Sequence, residues 1–376
     1  MSVHARLRAA VPAPLSSPEA GPPQIAGPAG RRMLVQGSDR EVVARPLDDS
    51  FAAVPGAEVR FPAPWPRRRG TWEVAPDASL TVFAGVHAVR AVEPSGATRW
   101  EVRHGCWYGA CREMHESYEE YAEEGDHRYP DGGSVGFSAD GKLVWAHVRG
   151  PLPEGEQHPD TVDEWLVIDA GDGRVLARGD AEAAAAGSFH LPDPADPRRM
   201  SLSIGEGQDG APLRLGVWDG ERLDVTYVEG DLCLVDVSPS GERLMTVSHD
   251  QDRLSVRDFD GHLVEGLEWD AESVLPPHPD APSDDEDGEW SVYWDWAGGF
   301  VDESTLVVST VESDDEWGEV RHWLLDTTGK HGLRPLGYPA QPSGQPTALG
   351  CGAWATASES GDALHVWVVA EAQMKL

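Results

Sequence analysis

The sequence has few basic residues and no long apolar run, and each absence excludes a class of function. Of its 376 residues, 30 are lysine or arginine and 65 are aspartate or glutamate, giving a formal net charge of −35. Phosphate binding is driven by basic faces, so nucleic acid and anionic membrane surfaces are not expected as partners. No run of about 18 apolar residues occurs, so no transmembrane helix is predicted. The charge instead favours a cationic protein, peptide, small molecule or metal ion.

Cysteine is also scarce, which excludes a disulfide framework in a chain of this length. The sequence contains four cysteines: Cys106, Cys111, Cys233 and Cys351. Prolines interrupt the N-terminal segment from Pro12 onward, so a signal peptide is not expected. These features predict a cytoplasmic monomer. The Pro- and Ala-rich residues 1–30 are predicted to form a disordered tail.

Helical periodicity is nearly absent, and short apolar runs recur between tight turns. The clearest copy covers 232–269. It contains two hairpin patterns: the runs LCLVDVS and RLMTVS flank PSGE, and the runs RLSVRDF and HLVEGLEW flank DG. Further copies lie at 71–102, 134–179, 199–228, 298–336 and 354–369. Runs rich in Val, Leu, Trp and Thr between Gly, Asp, Ser and Pro are typical of antiparallel hairpins. The repeat predicts an all-β fold, a single β-propeller of about six four-stranded blades, with seven as the alternative.

The ring needs a closing element, because the last copy lacks its outer two strands. The sequence RRMLVQ–GSDR–EVVARPL at 31–47 has the pattern of a hairpin and is predicted to complete that blade. The propeller is therefore assigned to 31–376, closed by an N-terminal hairpin. Insertions are assigned to 103–133 and 270–292.

Three segments carry a resemblance to a known class of proteins. The segments are VGFSADGKLVWAHV, DVSPSGERLMTVSHDQDRLSVRDFDG and AVRAVEPSGATRW. They resemble the blades of bacterial WD-repeat-like β-propeller proteins, and the generic blade pattern covers most of 71–369. The Trp-Asp dipeptide stands at the expected strand end once, at Trp218–Asp219. The resemblance implies the propeller fold but no particular activity, since one fold hosts many functions.

Long connections are predicted to gather at one end of the propeller. In such a blade the first-to-second and third-to-fourth turns share one face, and these turns are short here. The long segments fall among the other connections, on the opposite face, which we call the insertion face. Functional loops commonly sit together on a rigid scaffold. The insertion face is therefore the predicted working surface.

The predicted insertion face combines carboxylates with indoles. Carboxylates around aromatic rings attract cations through charge and cation–π contact. This pattern predicts a non-enzymatic interaction scaffold that binds a cationic protein or peptide. In the other interpretation the acidic runs are only solvated loops, and Trp294 and Trp296 belong to the blade core. The candidate ligand-binding residues are Trp290, Trp317, Asp284, Asp285, Asp287, Asp314 and Asp315.

Thiols and imidazoles are concentrated in the segment HGCWYGACREMHESYEEYAEEGDH, residues 104–127. Such a set suits Zn²⁺ or a similar borderline-soft ion. A helix is predicted at about 110–124, which would put Cys111 and His115, four residues apart, on one face. In a first alternative Cys106 and Cys111 form a disulfide or redox pair. In a second, these cysteines and histidines bind no metal ion. The candidate metal ligands are His104, Cys106, Cys111 and His115.

The same segment supports an alternative function, a metal- or thiol-dependent enzyme that is hydrolytic or modifies natural products. Its nucleophile would be Cys106 or Cys111, with His104, His115 or His127 as the base. The sequence contains no G-x-S-x-G elbow, phosphate loop or H-E-x-x-H motif. The catalytic assignment therefore stays open between scaffold and enzyme.

Overall fold

The computed structural model describes the chain as an array of small antiparallel sheets. The described residues are 2–16, 19–28, 30–108, 111, 114–123, 127, 131–150, 163–277, 291–312 and 320–370. Within them β-strands predominate, and the α-helix α1 (Ala271–Val274) has four residues. None of the helices in these ranges has the length and apolar character to cross a membrane. The predicted all-β fold is confirmed.

Five sheets each contain four consecutive strands, paired in sequence order. The first strands of neighbouring sheets contact one another. The first strand of the third sheet, for example, contacts the first strands of the second and fourth sheets, so the first strands line the centre of the ring. The first three sheets contain β2 (Gln24–Ala26), β3 (Met33–Gly37), β4 (Glu41–Pro46), β5 (Val59–Pro62); β6 (Gly70–Val74), β7 (Thr81–Gly85), β8 (Ala88–Val92), β9 (Thr98–Arg103); and β10 (Ser134–Phe137), β11 (Leu143–Arg149), β12 (Asp163–Asp169), β13 (Val175–Asp180). The next two contain β14 (Gly187–Pro192), β15 (Arg199–Gly205), β16 (Leu213–Trp218), β17 (Leu223–Val228); and β18 (Leu232–Val237), β19 (Arg243–Ser248), β20 (Arg253–Asp258), β21 (Leu263–Asp270).

The other eight strands form one closed sheet, in the order β1-β25-β24-β23-β22-β26-β27-β28. It holds two antiparallel meanders, β22–β25 and β26–β28 followed by β1, which are joined by short parallel bridges. In the described chain there are thus six sheets or seven meanders, and the blade number stays a prediction. The strands are β1 (Val3–Pro12), β22 (Val292–Asp302), β23 (Thr305–Glu312), β24 (Arg321–Asp326), β25 (Leu333–Gly337), β26 (Ser343–Ala348), β27 (Ala353–Ala357) and β28 (Ala363–Val369).

Neighbouring sheets are held together by the apolar side chains that they bury between them. Between the second and third sheets, Val82, Val144 and Ile168 are completely buried. Trp100 packs against this cluster, and its Nε1 donates a 2.9 Å hydrogen bond to the Ala170 carbonyl. Apolar burial stabilises by about 25 cal/mol per Å². The packed sheets present their connections at two ends.

The N-terminus closes the ring, but through a different segment from the one predicted. β1 pairs antiparallel with β28, from Ala5 opposite Val369 to Pro12 opposite Ala363. The hairpin at 31–47 does not pair with β28; it forms β3 and β4 within the first sheet. The prediction of this hairpin as the closing element is therefore wrong, although N-terminal closure itself is observed.

The disordered tail predicted for residues 1–30 is also wrong, because β1 and β2 lie within it. Prolines dominate the segment only from Pro12, the last residue of β1. Before that point the side chains alternate, with Val3 and Ala5 buried and His4 exposed. Pairing with β28 and burial of alternate side chains supply the stabilisation that composition alone did not reveal.

The connections of the meanders lie at two opposite ends. Turns between first and second strands and between third and fourth strands share one end, which we call the turn face. Most of these turns are short, as at 138–142 and 238–242, and 47–58 is a longer one. The connection between β9 and β10, residues 104–133, belongs to the insertion face.

The helix predicted for about 110–124 is not observed in the described part of that segment. Cys111 and residues 114–117 are irregular, and Tyr118–Glu120 form one 3-10 turn. Carboxylates three or four positions apart, such as Glu116 with Glu120 and Glu119 with Glu123, repel one another on a helix. Each such pair costs a helix about 0.2–0.5 kcal/mol, so these charges disfavour a helix here.

Candidate functional site

The start of the 104–133 segment is fixed to the second and third sheets by backbone hydrogen bonds. His104 N donates to His87 O at 2.9 Å, and Gly105 N donates to Arg149 O at 2.8 Å. Trp107 N donates to Val86 O at 3.0 Å, and the Trp107 side chain is buried. Cys106 therefore sits between residues with well-defined positions on the insertion face.

Four side chains of this segment converge on one point. Cys106, Cys111, His115 and His127 each place a sulfur or nitrogen atom within 4.8 Å of the others. Cys111 Sγ lies 3.6 Å from His115 Nε2. We call these four residues the Cys/His cluster. Cys106, His115 and His127 are buried, and Cys111 is partly exposed.

Neighbouring groups orient the members of the cluster. His115 Nδ1 lies 3.2 Å from a carboxylate oxygen of Glu120, which accepts from it, and the opposite ring nitrogen, Nε2, faces Cys111. The ring of His127 stacks on Tyr121 at a centroid distance of 5.1 Å and an angle of 25°. The Tyr121 hydroxyl contacts His87 Nδ1 at 2.7 Å. The cluster is thereby connected to the turn between β7 and β8.

His104, a predicted metal ligand, is not brought into the cluster. Its Nδ1 donates to the Gly105 carbonyl at 2.7 Å, and burial lowers its pKa to about 4. His127 occupies the place that the sequence interpretation gave to His104, while Cys106, Cys111 and His115 do converge. The predicted helix favoured ligands four residues apart, such as Cys111 and His115. His127 lies twelve residues after His115, a separation that no helical spacing signals.

The protonation of Cys106 argues against a thiol nucleophile. Burial raises the pKa of its thiol to about 12, and the neighbouring Cys111 thiol acts in the same direction. A thiolate is the reactive form of cysteine, so an unliganded Cys106 is inert at neutral pH. All four cysteines lie in the described ranges, and none is in a disulfide there. Burial therefore disfavours Cys106 as a nucleophile, while a nucleophilic Cys111 and a Cys106–Cys111 redox pair stay predictions.

The aromatic and acidic residues predicted to bind a cation lie outside the described residues. They are Trp290, Trp317, Asp284, Asp285, Asp287, Asp314 and Asp315. Two nearby tryptophans are described and differ sharply. Trp294 is fully buried, and its Nε1 donates to Trp269 O at 2.9 Å, so it is a core residue. Trp296 is 46% exposed.

Trp296 forms an aromatic surface on the insertion face. Its ring stacks on that of His249, with centroids 6.0 Å apart and an angle of 21°. Its Nε1 donates to Ser248 O at 3.1 Å, which fixes the orientation of the indole. The next residue after His249 is the exposed Asp250. An oriented, exposed indole beside a carboxylate suits a cationic side chain.

Consecutive connections on this face form an unbroken acidic region. Ala184 N donates to the Glu206 carboxylate at 2.6 Å, and Leu232 N donates to Ala211 O at 2.9 Å. His249 N in turn donates to Asp231 O at 2.9 Å. None of these connections contains lysine or arginine. We call them the acidic sector: 181–186, 206–212, 229–231, 249–252 and 271–277.

The insertion face also has a small basic part. The connections of the first sheet carry Arg40, Arg67 and Arg68, all exposed. They lie at the start of the ring, in sheets that are remote in sequence from the acidic sector. The sign of the charge therefore differs between these two described parts of the face, and the acidic sector is the one suited to a cationic partner.

A buried polar group under the insertion has the residue types of a hydrolase triad. Ser188 Oγ contacts His147 Nδ1 at 2.9 Å, and His147 Nε2 lies 3.6 Å from Asp163 Oδ2. His147 and Asp163 are completely buried. Burial lowers the pKa of His147 to about 3 and raises that of Asp163 to about 7. Because His147 and Asp163 are completely buried, we assign this group a structural role.

Comparisons with known proteins support the fold and add no activity. No family model matches the sequence, and no curated protein matches it. The structure of Chaetomium thermophilum Raptor is similar, with a TM-score of 0.54 and 9% identity, over 98% of this chain and 29% of that chain.

Two further solved structures are propeller domains. The Neurospora crassa Pan2 WD40 domain has a TM-score of 0.48 and 13% identity, over 98% of this chain and 94% of that one. The β-propeller domain of the Trilobed protease from Pyrococcus furiosus has a TM-score of 0.46 and 9% identity, over 93% and 94%. The repeated four-stranded meanders confirm the WD-like propeller fold predicted from the sequence. At these identities the likeness to solved structures concerns fold alone.

Proposed function

We propose that this propeller is an interaction scaffold that binds a cationic protein or peptide on the acidic sector of its insertion face. The observation that carries the proposal is the continuity of that sector. Its connections bond directly to one another and contain carboxylates without a lysine or arginine. A partner rich in lysine or arginine supplies the charge that the sector lacks.

The aromatic surface adds a contact that charge alone does not provide. Trp296 lies in β22, next in the ring to the connection 249–252, and Trp294 N donates to Gln251 O at 2.9 Å. An arginine or lysine over the exposed indole gains about 0.5–1 kcal/mol from cation–π attraction. The predicted residues Asp284, Asp285, Asp287 and Trp290 belong to the connection between α1 and β22, so they extend the same sector in sequence.

The test compares two charge variants of the full chain that lose the same number of carboxylates. The insertion-face variant carries Asp209→Asn, Glu229→Gln, Asp231→Asn and Asp250→Asn. The turn-face control carries Glu221→Gln, Glu242→Gln, Asp260→Asn and Glu303→Gln. All eight side chains are exposed. The probe is a fluorescent Lys/Arg-rich peptide, followed by anisotropy at low and high ionic strength.

The insertion-face variant is expected to bind the peptide about tenfold more weakly, because four carboxylates near the partner are lost. The turn-face control is expected to bind within about twofold of the unmodified protein. Binding should weaken as salt screens the exposed charges. Equal losses in the two variants would show a non-specific attraction to net charge, and salt-independent binding would also overturn the proposal.

A further inference from the structure

We propose that Cys106, Cys111, His115 and His127 bind one zinc ion in a closed Cys2His2 site that holds the 104–133 insertion on the propeller. The two cysteines and two histidines match the ligand types and number of structural zinc sites. The inference is independent of peptide binding, since it concerns how the insertion is held and not what the acidic sector binds.

The spacing of the ligand atoms fits a tetrahedron of this kind. Zinc bonds of about 2.3 Å to sulfur and about 2.0–2.1 Å to nitrogen separate neighbouring sulfur and nitrogen ligands by about 3.6 Å. Cys111 Sγ and His115 Nε2 are 3.6 Å apart. The whole set lies within 4.8 Å. Closing it to tetrahedral edges requires movements of about 1 Å.

The groups behind the ligands are those that orient metal-binding side chains. A histidine ligand commonly donates its other ring nitrogen to a carboxylate, which fixes the tautomer and raises the basicity of the ligand nitrogen. His115 Nδ1 and Glu120 Oε2, 3.2 Å apart, have this arrangement. Tyr108 N donates to Cys106 Sγ at 3.4 Å, a contact that also stabilises a thiolate ligand.

The position of the cluster gives the ion a structural role. Cys106 follows the anchored start of the insertion and His127 lies near its end, so one ion joins both parts. Between them the described residues contain only a 3-10 turn as regular structure. Four protein ligands leave no open coordination position, which distinguishes a structural from a catalytic zinc site. The ion supplies the cross-link that secondary structure does not provide here.

The first test measures zinc in the purified full-length protein by mass spectrometry, then replaces it with Co²⁺. We expect one ion per chain. We also expect the visible d–d bands and near-ultraviolet thiolate charge-transfer bands of a tetrahedral cobalt site. A chain that contains no zinc, and that gives no such bands when Co²⁺ is added to the reduced protein, would overturn the proposal.

Variants identify the ligands. Cys106→Ser, Cys111→Ser and His127→Gln are each expected to lose the charge-transfer bands or shift them, and to lower cobalt affinity at least tenfold. His104→Gln and Cys233→Ser are the controls, because they remove an imidazole and a thiol outside the cluster, and both should keep one ion. Circular dichroism checks that each variant keeps its strands. Loss of the ion in His104→Gln with retention in His127→Gln would contradict the assigned ligand set.

These outcomes are separate from those of the peptide experiment. A protein that binds the cationic peptide but no metal would refute the zinc site and leave the scaffold proposal standing. A protein that binds zinc but not the peptide would do the reverse.

Discussion

The turn face and the insertion face differ most in how their charges are used. On the turn face, carboxylates pair with bases of the same turn, as Asp196 does with Arg198 at 3.2 Å and Asp140 with Lys142 at 3.1 Å. In the acidic sector of the insertion face no lysine or arginine is present. The difference indicates that charge on the turn face serves to close the meanders. In the acidic sector Asp252 lies 3.6 Å from Arg253 of the adjoining β20. Asp209, Glu229 and Asp231 form no ion pair within the described residues, and their charge is available for a partner.

The largest expected effect concerns how well each face tolerates replacement of a glycine that has a positive φ. Gly241 in a turn-face turn and Gly230 in the acidic sector both have positive φ, 77° and 95°. A Cβ at position 241 would overlap the carboxylate of Asp193, which is buried and accepts from Ala195 N at 2.8 Å. A Cβ at position 230 would meet only Leu232 Cγ, at 3.8 Å.

Gly241→Ala is therefore expected to lower the free energy of unfolding by about 3 kcal/mol, from backbone strain and the overlap together. Gly230→Ala is expected to cost about 1 kcal/mol, from strain alone. Chemical denaturation of both variants measures the difference. Equal losses would mean that the two faces are equally constrained.

The second prediction concerns Asp163, buried beneath the insertion face. It faces His147, Arg149, Glu206 and Asp131, and burial raises its pKa from the ordinary 3.8 to about 7. Between about pH 4 and pH 7 the folded protein holds a proton that the unfolded chain has released. The contribution of Asp163 to stability therefore falls as the pH rises through this window.

Asp163→Asn removes that dependence and keeps an oxygen to accept from Ala185 N. The free energy of unfolding of the variant relative to the unmodified protein should therefore rise from pH 4 to pH 7, by at most about 1.4 kcal/mol per pH unit. Taking the difference cancels the other titrating groups. A difference that stays flat over this range would refute a raised pKa at Asp163.

The third prediction separates carboxylates of the insertion face that orient a ligand from those that only face solvent. If Glu120 orients His115, then Glu120→Gln should lower the affinity for Co²⁺ about tenfold. Glu123→Gln removes an exposed carboxylate from the same insertion and is the matched control. It should leave the affinity within about twofold. Equal effects in both variants would reduce the role of Glu120 to general electrostatic attraction.

The smallest expected effect concerns Trp296. Trp296→Ala should weaken binding of the cationic peptide about threefold, corresponding to the loss of one exposed cation–π contact. Stability should change little, because the side chain is 46% exposed. Trp296→Phe should restore most of the binding, since it keeps an aromatic face. If Trp296→Ala binds the peptide as tightly as the unmodified protein, the indole of Trp296 does not contribute to the proposed binding surface.

The sequence was sufficient to predict strands and sheets, since alternation and turn residues are local signals. The copy at 232–269 predicted the sheet β18–β21 with its turns at the observed positions. Ring closure was not predicted correctly, because pairing of β1 with β28 joins the two ends of the chain. The hairpin at 31–47 had the right local pattern for that role but belongs to the first sheet.

The Cys/His cluster shows the same division between local and non-local information. Composition alone drew attention to Cys106, Cys111 and His115, whose side chains do converge. His127 was missed as a cluster member because it lies twelve residues after His115, outside any helical spacing. The sequence did not separate Trp294 from Trp296, because a buried and an exposed tryptophan two residues apart in β22 have the same sequence pattern.

The most direct test of the working-face assignment is hydrogen–deuterium exchange of the full-length protein with and without the Lys/Arg-rich peptide at saturation. The proposal predicts slower exchange at 206–212, 229–231 and 249–252 when the peptide is bound, and unchanged exchange in the turn-face segments 138–142, 219–222 and 238–242. Protection of the turn-face segments with none in the acidic sector would contradict it.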